Sequence, residues 1–179
     1  MSFVYFSNGG GKMFRQSGFT LVELLVVVVI IGILAAISLA NFVAATKKAK
    51  NAAILANMRT IQITSENYST DSGGAYSPAA TGPFLNYLPG GSNSMTGAAG
   101  NLPVNPITGT VIVVGDAALT TSAQIKALRP MAPSTGTAAP GSVAYSQADA
   151  GLSYAVTGSD VDGLYVPGIG GGTLVLSNQ

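Results

Sequence analysis

The chain has 179 residues, room for one domain of ordinary size and not for a multi-enzyme architecture. Only 8% of the residues are charged, against about a quarter in soluble globular proteins, and the mean hydropathy is positive, so part of the chain is built for a setting other than water. A formal charge of +1 gives no strong pull toward nucleic acid, and the absence of cysteine and histidine removes thiolate nucleophiles, disulfides, the usual zinc ligands and every Ser-His-Asp arrangement.

In chain order, a short N-terminal stretch carrying Lys12 and Arg15 leads to Gly18. The run Leu24 to Ala40 follows, with no charge and one polar residue, Ser38, and it extends to Ala45 with only Asn41 inside. Roughly 20 apolar residues match the core of a bilayer, whereas strands of soluble proteins stop at about 8. Val26 to Ile31 favours strand locally, but a lone strand in lipid leaves its backbone polar groups unsatisfied, so helix is expected. The helical pattern continues beyond the run: Leu55, Met58, Ile61, Ser65 and Tyr68 recur at steps of three and four, with Lys50, Arg59, Gln62 and Glu66 opposite. Ala44 to Ala56 joins the two parts without a breaker. One helix from about Phe19 to Ser69 is predicted, ~75 Å long at 1.5 Å per residue.

All nine prolines and eighteen of the 23 glycines come after Asp71, where the helix must stop. Short β-type runs then appear at Thr110 to Val114, Ser142 to Ser146, Leu152 to Thr157, Leu164 to Val166 and Thr173 to Leu176. In the third, Leu152, Tyr154 and Val156 alternate with Ser153, Ala155 and Thr157, which implies a half-buried antiparallel sheet covered by the apolar stripe of the helix. Ser122 to Leu128 reads as a short helix stopped by Pro130, and Ser92 to Gly100 and Pro130 to Gly141 as loops. The expected class is α+β: a cleaved basic leader at 1–18, a hydrophobic membrane helix at 19–46, its amphipathic continuation at 47–70, and a β-rich region at 71–179.

The segment Gly18-Phe19-Thr20-Leu21-Val22-Glu23, preceded by Lys12 and Arg15 and followed by LLVVVVIIGILAA, resembles the type IV pilin and pseudopilin family closely from Lys12 to about Thr46. The resemblance implies a precursor that a membrane-embedded aspartyl peptidase cuts between Gly18 and Phe19 on the cytoplasmic side, methylating the new amino group of Phe19 and leaving the anchor in place. Loss of Lys12 and Arg15 leaves six basic and seven acidic residues, a net charge of −1. An ordinary signal peptide is the competing reading, with Ser38-Leu39-Ala40 before Asn41 as a small-x-small site, but its apolar segment is usually 7 to 15 residues. Lys12 and Arg15 before the span and Lys47, Lys48 and Lys50 after it leave orientation open by charge; the outward C-terminal region comes from the resemblance.

Glu23 stands one residue before the apolar run, where an ionised carboxylate in a bilayer costs ~2.5–3.5 kcal/mol. The resemblance supplies a partner, the Phe19 amino group of an adjacent subunit, and so an assembly role; interaction with the dipole of its own helix, or with its own amino terminus, is the local alternative. Where many relatives carry proline this chain has Ala40, so no proline kinks the helix.

In the exported region Leu102 to Gly109 is similar to the proline-containing connector of such domains, and reads equally as a rigid turn. Asp160 and Asp162 lie in a strand-then-Asp-Gly stretch where some pseudopilins bind calcium, yet two carboxylates supply few of the six to eight oxygens required, and an ordinary turn is expected. Tyr68, Tyr76, Phe84 and Tyr87 lack basic neighbours and read as packing rather than as a nucleic-acid stacking surface.

The resemblance implies a structural filament subunit, not an enzyme, without cofactor. Its implied partners are copies of itself, the prepilin peptidase and methylase, an assembly ATPase, a platform membrane protein and, in outer-membrane bacteria, a secretin. It starts in the inner membrane and ends in a cell-surface filament. A pseudopilin of type II secretion is the near alternative. A membrane-tethered enzyme using Ser and Asp is the distant one, with no supporting motif. The chain has no P-loop, so the energy source lies elsewhere.

Overall fold

A computed structural model describes residues 18–92, 97–112, 114–116, 119–130, 139–168 and 171–178. The leader, with Lys12 and Arg15, lies outside the described residues, as do parts of the two expected loops, 93–96 and 131–138. Two compact units are distinguished, 1–42 and 43–179.

Helix α1 runs from Leu21 to Asp71 and is assigned on both sides of that division. In the first unit its side chains from Leu21 to Ala40 are all exposed, with no face turned to a protein core. Ser38 keeps its hydroxyl satisfied by donating to the Leu34 carbonyl at 2.8 Å, which removes the one polar side chain of the run as an obstacle to an apolar medium. The helix ends where Gly73 adopts φ 75° and the Gly74 N–H reaches back to the Ser69 carbonyl at 2.8 Å. This αL cap satisfies an otherwise orphaned carbonyl, and it places the end two residues beyond Ser69.

In the second unit a three-stranded sheet has the order β1 (Val114–Asp116), β2 (Val143–Ala148), β3 (Ser153–Gly158). β2 and β3 form the expected antiparallel pair, in register from Val143 opposite Gly158 to Ala148 opposite Ser153. β1 corrects the first expected strand: Val111 makes only an isolated bridge to Val104, and the chain pairs from Val114 onward, parallel to β2. A parallel neighbour needs a crossover, and the connection that carries α2 (Ser122–Leu128) provides it. Leu164 to Val166 and Thr173 to Leu176 are likewise isolated bridges and not strands. Of these, Val156 to Leu176 extends pairing beyond β3.

α1 covers one face of the sheet through Ile54, Met58, Ile61, Ser65 and Tyr68, packed with Phe84, Tyr145, Tyr154 and Val156. The stripe starts at Ile54 and not at Leu55, which is 36% exposed. Steps of 4-3-4-3 from Ile54 stay on one face, whereas starting at Leu55 gives 3-3-4-3, with two three-residue steps in succession, and drifts off it. Phe84 and Tyr87 belong to a 3-10 turn, Gly82–Tyr87, that the sequence pattern did not announce.

Gly158 marks the close approach of sheet to helix. A Cβ there would stand 2.7 Å from Met58 Sδ and 3.2 Å from Ile54 Cγ2. Gly158→Val is therefore expected to cost about 1–3 kcal/mol, read as a lower unfolding midpoint of the detergent-solubilised chain, because the helix must shift or side chains must leave their rotamers.

The other face of the sheet was expected to be open, and it is closed. Ile125 of α2 packs with Ala148, Ala155 and Val175, so every residue of β3 is buried. Leu152 leaves the predicted alternation: it is 75% exposed and follows the turn Asp149–Gly151. There Ala150 (φ 55°, ψ 37°) and Gly151 (φ 96°) take the left-handed backbone of a type I′ connection, closed by Leu152 N–H to the Asp149 carbonyl at 3.2 Å.

Asp149 links this turn to α2. Its carboxylate accepts from Ser122 N–H at 3.1 Å and from Ser153 Oγ at 3.0 Å, beside the capping box of Thr121 and Gln124. Hydrogen bonding from Ser122, side chain and main chain, holds the carboxyl below the ordinary value of 3.8. The folded state therefore favours the ionised form, and the associated stability is complete above pH 3.8 and lost as pH falls below it. In a pH series of thermal melts, Asp149→Asn is expected to remove that part of the acid sensitivity.

Candidate functional site

Gly18, Phe19 and Thr20 precede α1 without regular secondary structure, and all three are exposed, Phe19 to 80%. A Cβ placed on Gly18 would meet no atom within 4 Å, so among the described residues nothing crowds the Gly18–Phe19 peptide bond. A peptidase must draw a short extended segment into its own cleft, and an unpaired backbone at a helix margin offers one at little cost in broken hydrogen bonds.

Thr20 is the residue that sequence reasoning missed. Its carbonyl accepts from Leu24 N–H at 3.3 Å, which makes it the N-cap of α1. Its hydroxyl accepts from Glu23 N–H at 3.2 Å and donates to Glu23 Oε2 at 2.8 Å, while its own N–H donates to the same oxygen at 2.9 Å. This reciprocal pattern is a capping box. The signal was present in Thr20-Leu21-Val22-Glu23, a T-x-x-E directly before an apolar run. In a single chain Glu23 therefore stands at the positive end of the helix dipole with one oxygen engaged by Thr20. The local alternative for Glu23 therefore has a specific geometry, centred on Oε2.

The weaker candidates resolve into structural roles. Asp160 Oδ1 accepts from the N–H groups of Asp162 and Leu164, both at 2.9 Å, closing an Asx-type turn. Asp162 Oδ1 lies 2.9 Å from Lys47 Nζ in an exposed ion pair, and the adjacent Val161 N–H donates to Asn51 Oδ1 at 3.2 Å, so this turn is docked on α1. Among the described residues no group of three or more metal-ligating side chains occurs. Tyr68, Tyr76, Phe84 and Tyr87 are all buried, and their rings pack in the core.

The sheet of the second unit is tied to α1 by Glu66. Tyr154 donates to its Oε1 at 2.7 Å and Tyr76 to its Oε2 at 3.0 Å, and the two rings are 4.6 Å apart. One carboxylate on α1 thus fastens β3 and the segment that leaves the helix. Burial, then hydrogen bonding to Glu66, pushes the Tyr154 phenol well above its ordinary value, and it stays a donor.

Residues 13–39 match the family model of the prokaryotic N-terminal methylation motif. No curated protein and no solved structure matches the chain. The match covers Gly18, Phe19, Thr20 and Glu23 and most of the apolar run, and it ends before the second unit.

Proposed function

We propose that this chain, which carries the N-terminal methylation motif of type IV pilin-like prepilins, is a structural subunit of a type IV pilus-like filament. It is cut after Gly18, methylated at Phe19, held in the inner membrane by the apolar part of α1, and polymerised through that same part. The observation that carries the reading is the junction itself: an exposed scissile glycine, a capped helix start and a lone acid at the head of an apolar run with no protein cover. A run apolar all round is stable in lipid or among equivalent runs of neighbouring chains, and exchange between those two settings is how a membrane protein becomes a filament. Because one apolar environment replaces another, packing and the Glu23 carboxylate must supply the specificity.

The peptidase, assembly ATPase and platform protein are supported by the motif as the machinery that such precursors require. The fold of 43–179, a sheet covered on both faces, supports a compact module displayed by the anchor. Electron microscopy of cell surfaces tests the reading: filaments containing this chain are expected in the parent strain, absent in a deletion and restored by complementation. Surface filaments unchanged in the deletion, with a secretion defect instead, favour the pseudopilin alternative, and neither phenotype sinks the filament role.

A further inference from the structure

Between Leu24 and Ser65 the chain contains no acidic residue but four basic ones, three of them Lys47, Lys48 and Lys50. They follow Val43, the last large apolar side chain of the run, by four to seven residues, about 6–10 Å of helix. The polar layer on each side of a bilayer core is about 5–8 Å thick, and a lysine stem can reach along the helix to place its ammonium there. Lys47 and Lys50, three apart, share a face of α1, whereas Lys48 and Lys50, two apart and so about 200° around the helix, lie on nearly opposite sides and do not form a single stripe. A stripe suits a partner lying along the helix; a ring at one level suits a plane that the helix crosses.

The structure also separates the three lysines. Lys47 is engaged by Asp162 at 2.9 Å, whereas among the described residues Lys48 and Lys50 have no carboxylate partner. Lys48 is exposed and Lys50 partly so. Asp162 sits on the turn that Asn51 also holds, so Lys47 serves the docking of that turn and leaves two uncommitted positive charges at the level where the apolar run ends.

We propose that Lys48 and Lys50, with Lys47 beside them, form a binding ring for anionic phospholipid headgroups at the membrane surface on the side of the exported region. This rests on the membrane-anchored part of the proposed function and not on filament assembly. Phosphate oxygens pair with the ammonium groups, and the ring then fixes how deeply the helix sits before it leaves the bilayer. Juxtamembrane lysines each contribute about a fivefold preference for an anionic over a neutral surface, and the preference falls with salt.

The test uses the full chain, extracted in a mild detergent and incubated with equal amounts of phosphatidylglycerol and phosphatidylcholine, with retained lipid counted by native mass spectrometry. The wild type is expected to retain phosphatidylglycerol in excess, and K48Q/K50Q to lose most of that excess, roughly 5- to 25-fold for the pair. K126Q, on a remote helix, is expected to behave as wild type, and matching thermal melts establish that all variants are folded. Equal retention of the two lipids by the wild type overturns the proposal. So does an undiminished preference in K48Q/K50Q, or an equal loss in K126Q. Failure of the anchoring premise is seen separately, as recovery of the chain from cells in the soluble fraction without detergent.

Discussion

Glu23→Ala is expected to leave the cut after Gly18 intact and to reduce filaments to an undetectable level. The scissile bond lies in the exposed segment ahead of α1, and the substitution touches nothing at Gly18 itself. What it removes is the one ionisable side chain between Arg15 and Lys47. In the single chain that carboxylate accepts from the Thr20 N–H and hydroxyl, and the Glu23 N–H donates back to the same hydroxyl, all within one helical turn. The proposed cleavage would create an amino group at Phe19, and in a water-poor bundle of helices an unpaired carboxylate is penalised far more than at a surface. A neighbouring chain that supplies the ammonium group at the right height satisfies it, and a neighbour out of register does not. Glu23→Gln separates this from local capping. The amide oxygen can still accept from Thr20, so a helix-start role alone predicts normal filaments from the Gln variant, whereas charge pairing between subunits predicts loss in both. Immunoblotting of processed chain together with filament shearing reads the two steps independently.

The second large effect lies in the second unit. Tyr154→Ala is expected to cost about 3–5 kcal/mol, a large part of the 5–15 kcal/mol available to a domain, and to leave 43–179 open to protease. Tyr154 is fully buried between Tyr76 and Tyr145 and donates to Glu66, so truncation opens a ring-sized cavity and unfastens β3 from α1. Tyr154→Phe keeps the ring and loses only the hydrogen bond, for which about 1 kcal/mol is expected. Tyr154 belongs to the core of the second unit and the apolar run to the first, so the Ala variant should still be found in the membrane. Limited proteolysis followed by a blot for the anchor checks both halves. A Tyr154→Ala chain as resistant as wild type means that the aromatic cluster does not hold the module together.

The parts of the molecule that were legible in the sequence are those set by a period or by a breaker. A run without charge and an uninterrupted 3.6-residue pattern predicted α1 to within two residues at either end, and the bunching of glycine and proline after Asp71 located its stop. β2 and β3 were visible from their branched and aromatic residues. Less was written for the remainder. The turn between those strands runs through Asp149, Ala150 and Gly151, all with left-handed backbone, but the alternation of Leu152 with Tyr154 and Val156 outweighed that Asp and Gly signal, so Leu152 was assigned to the strand. Steps of three and four fit both Ile54 and Leu55, and only packing chose between them. α2 was recognised, but that it lies over the second face of the sheet depends on contacts between residues such as Ile125 and Val175, far apart in the chain. At the N-terminal site Gly18, Phe19 and Glu23 stood out by type and spacing. Thr20 did not, because a threonine between Phe19 and Leu21 reads as ordinary until its hydroxyl is seen between the helix N–H and the carboxylate.

The most direct measurement is the mass and sequence of the amino-terminal peptide of the native chain purified from membranes or sheared filaments. A chain beginning at Phe19, carrying one methyl group on its α-nitrogen and retaining Glu23 and the whole apolar run, is the expected result. A mature chain beginning at Asn41, with the run removed, or one that keeps Lys12 and Arg15 at its start in assembled material, would contradict the account.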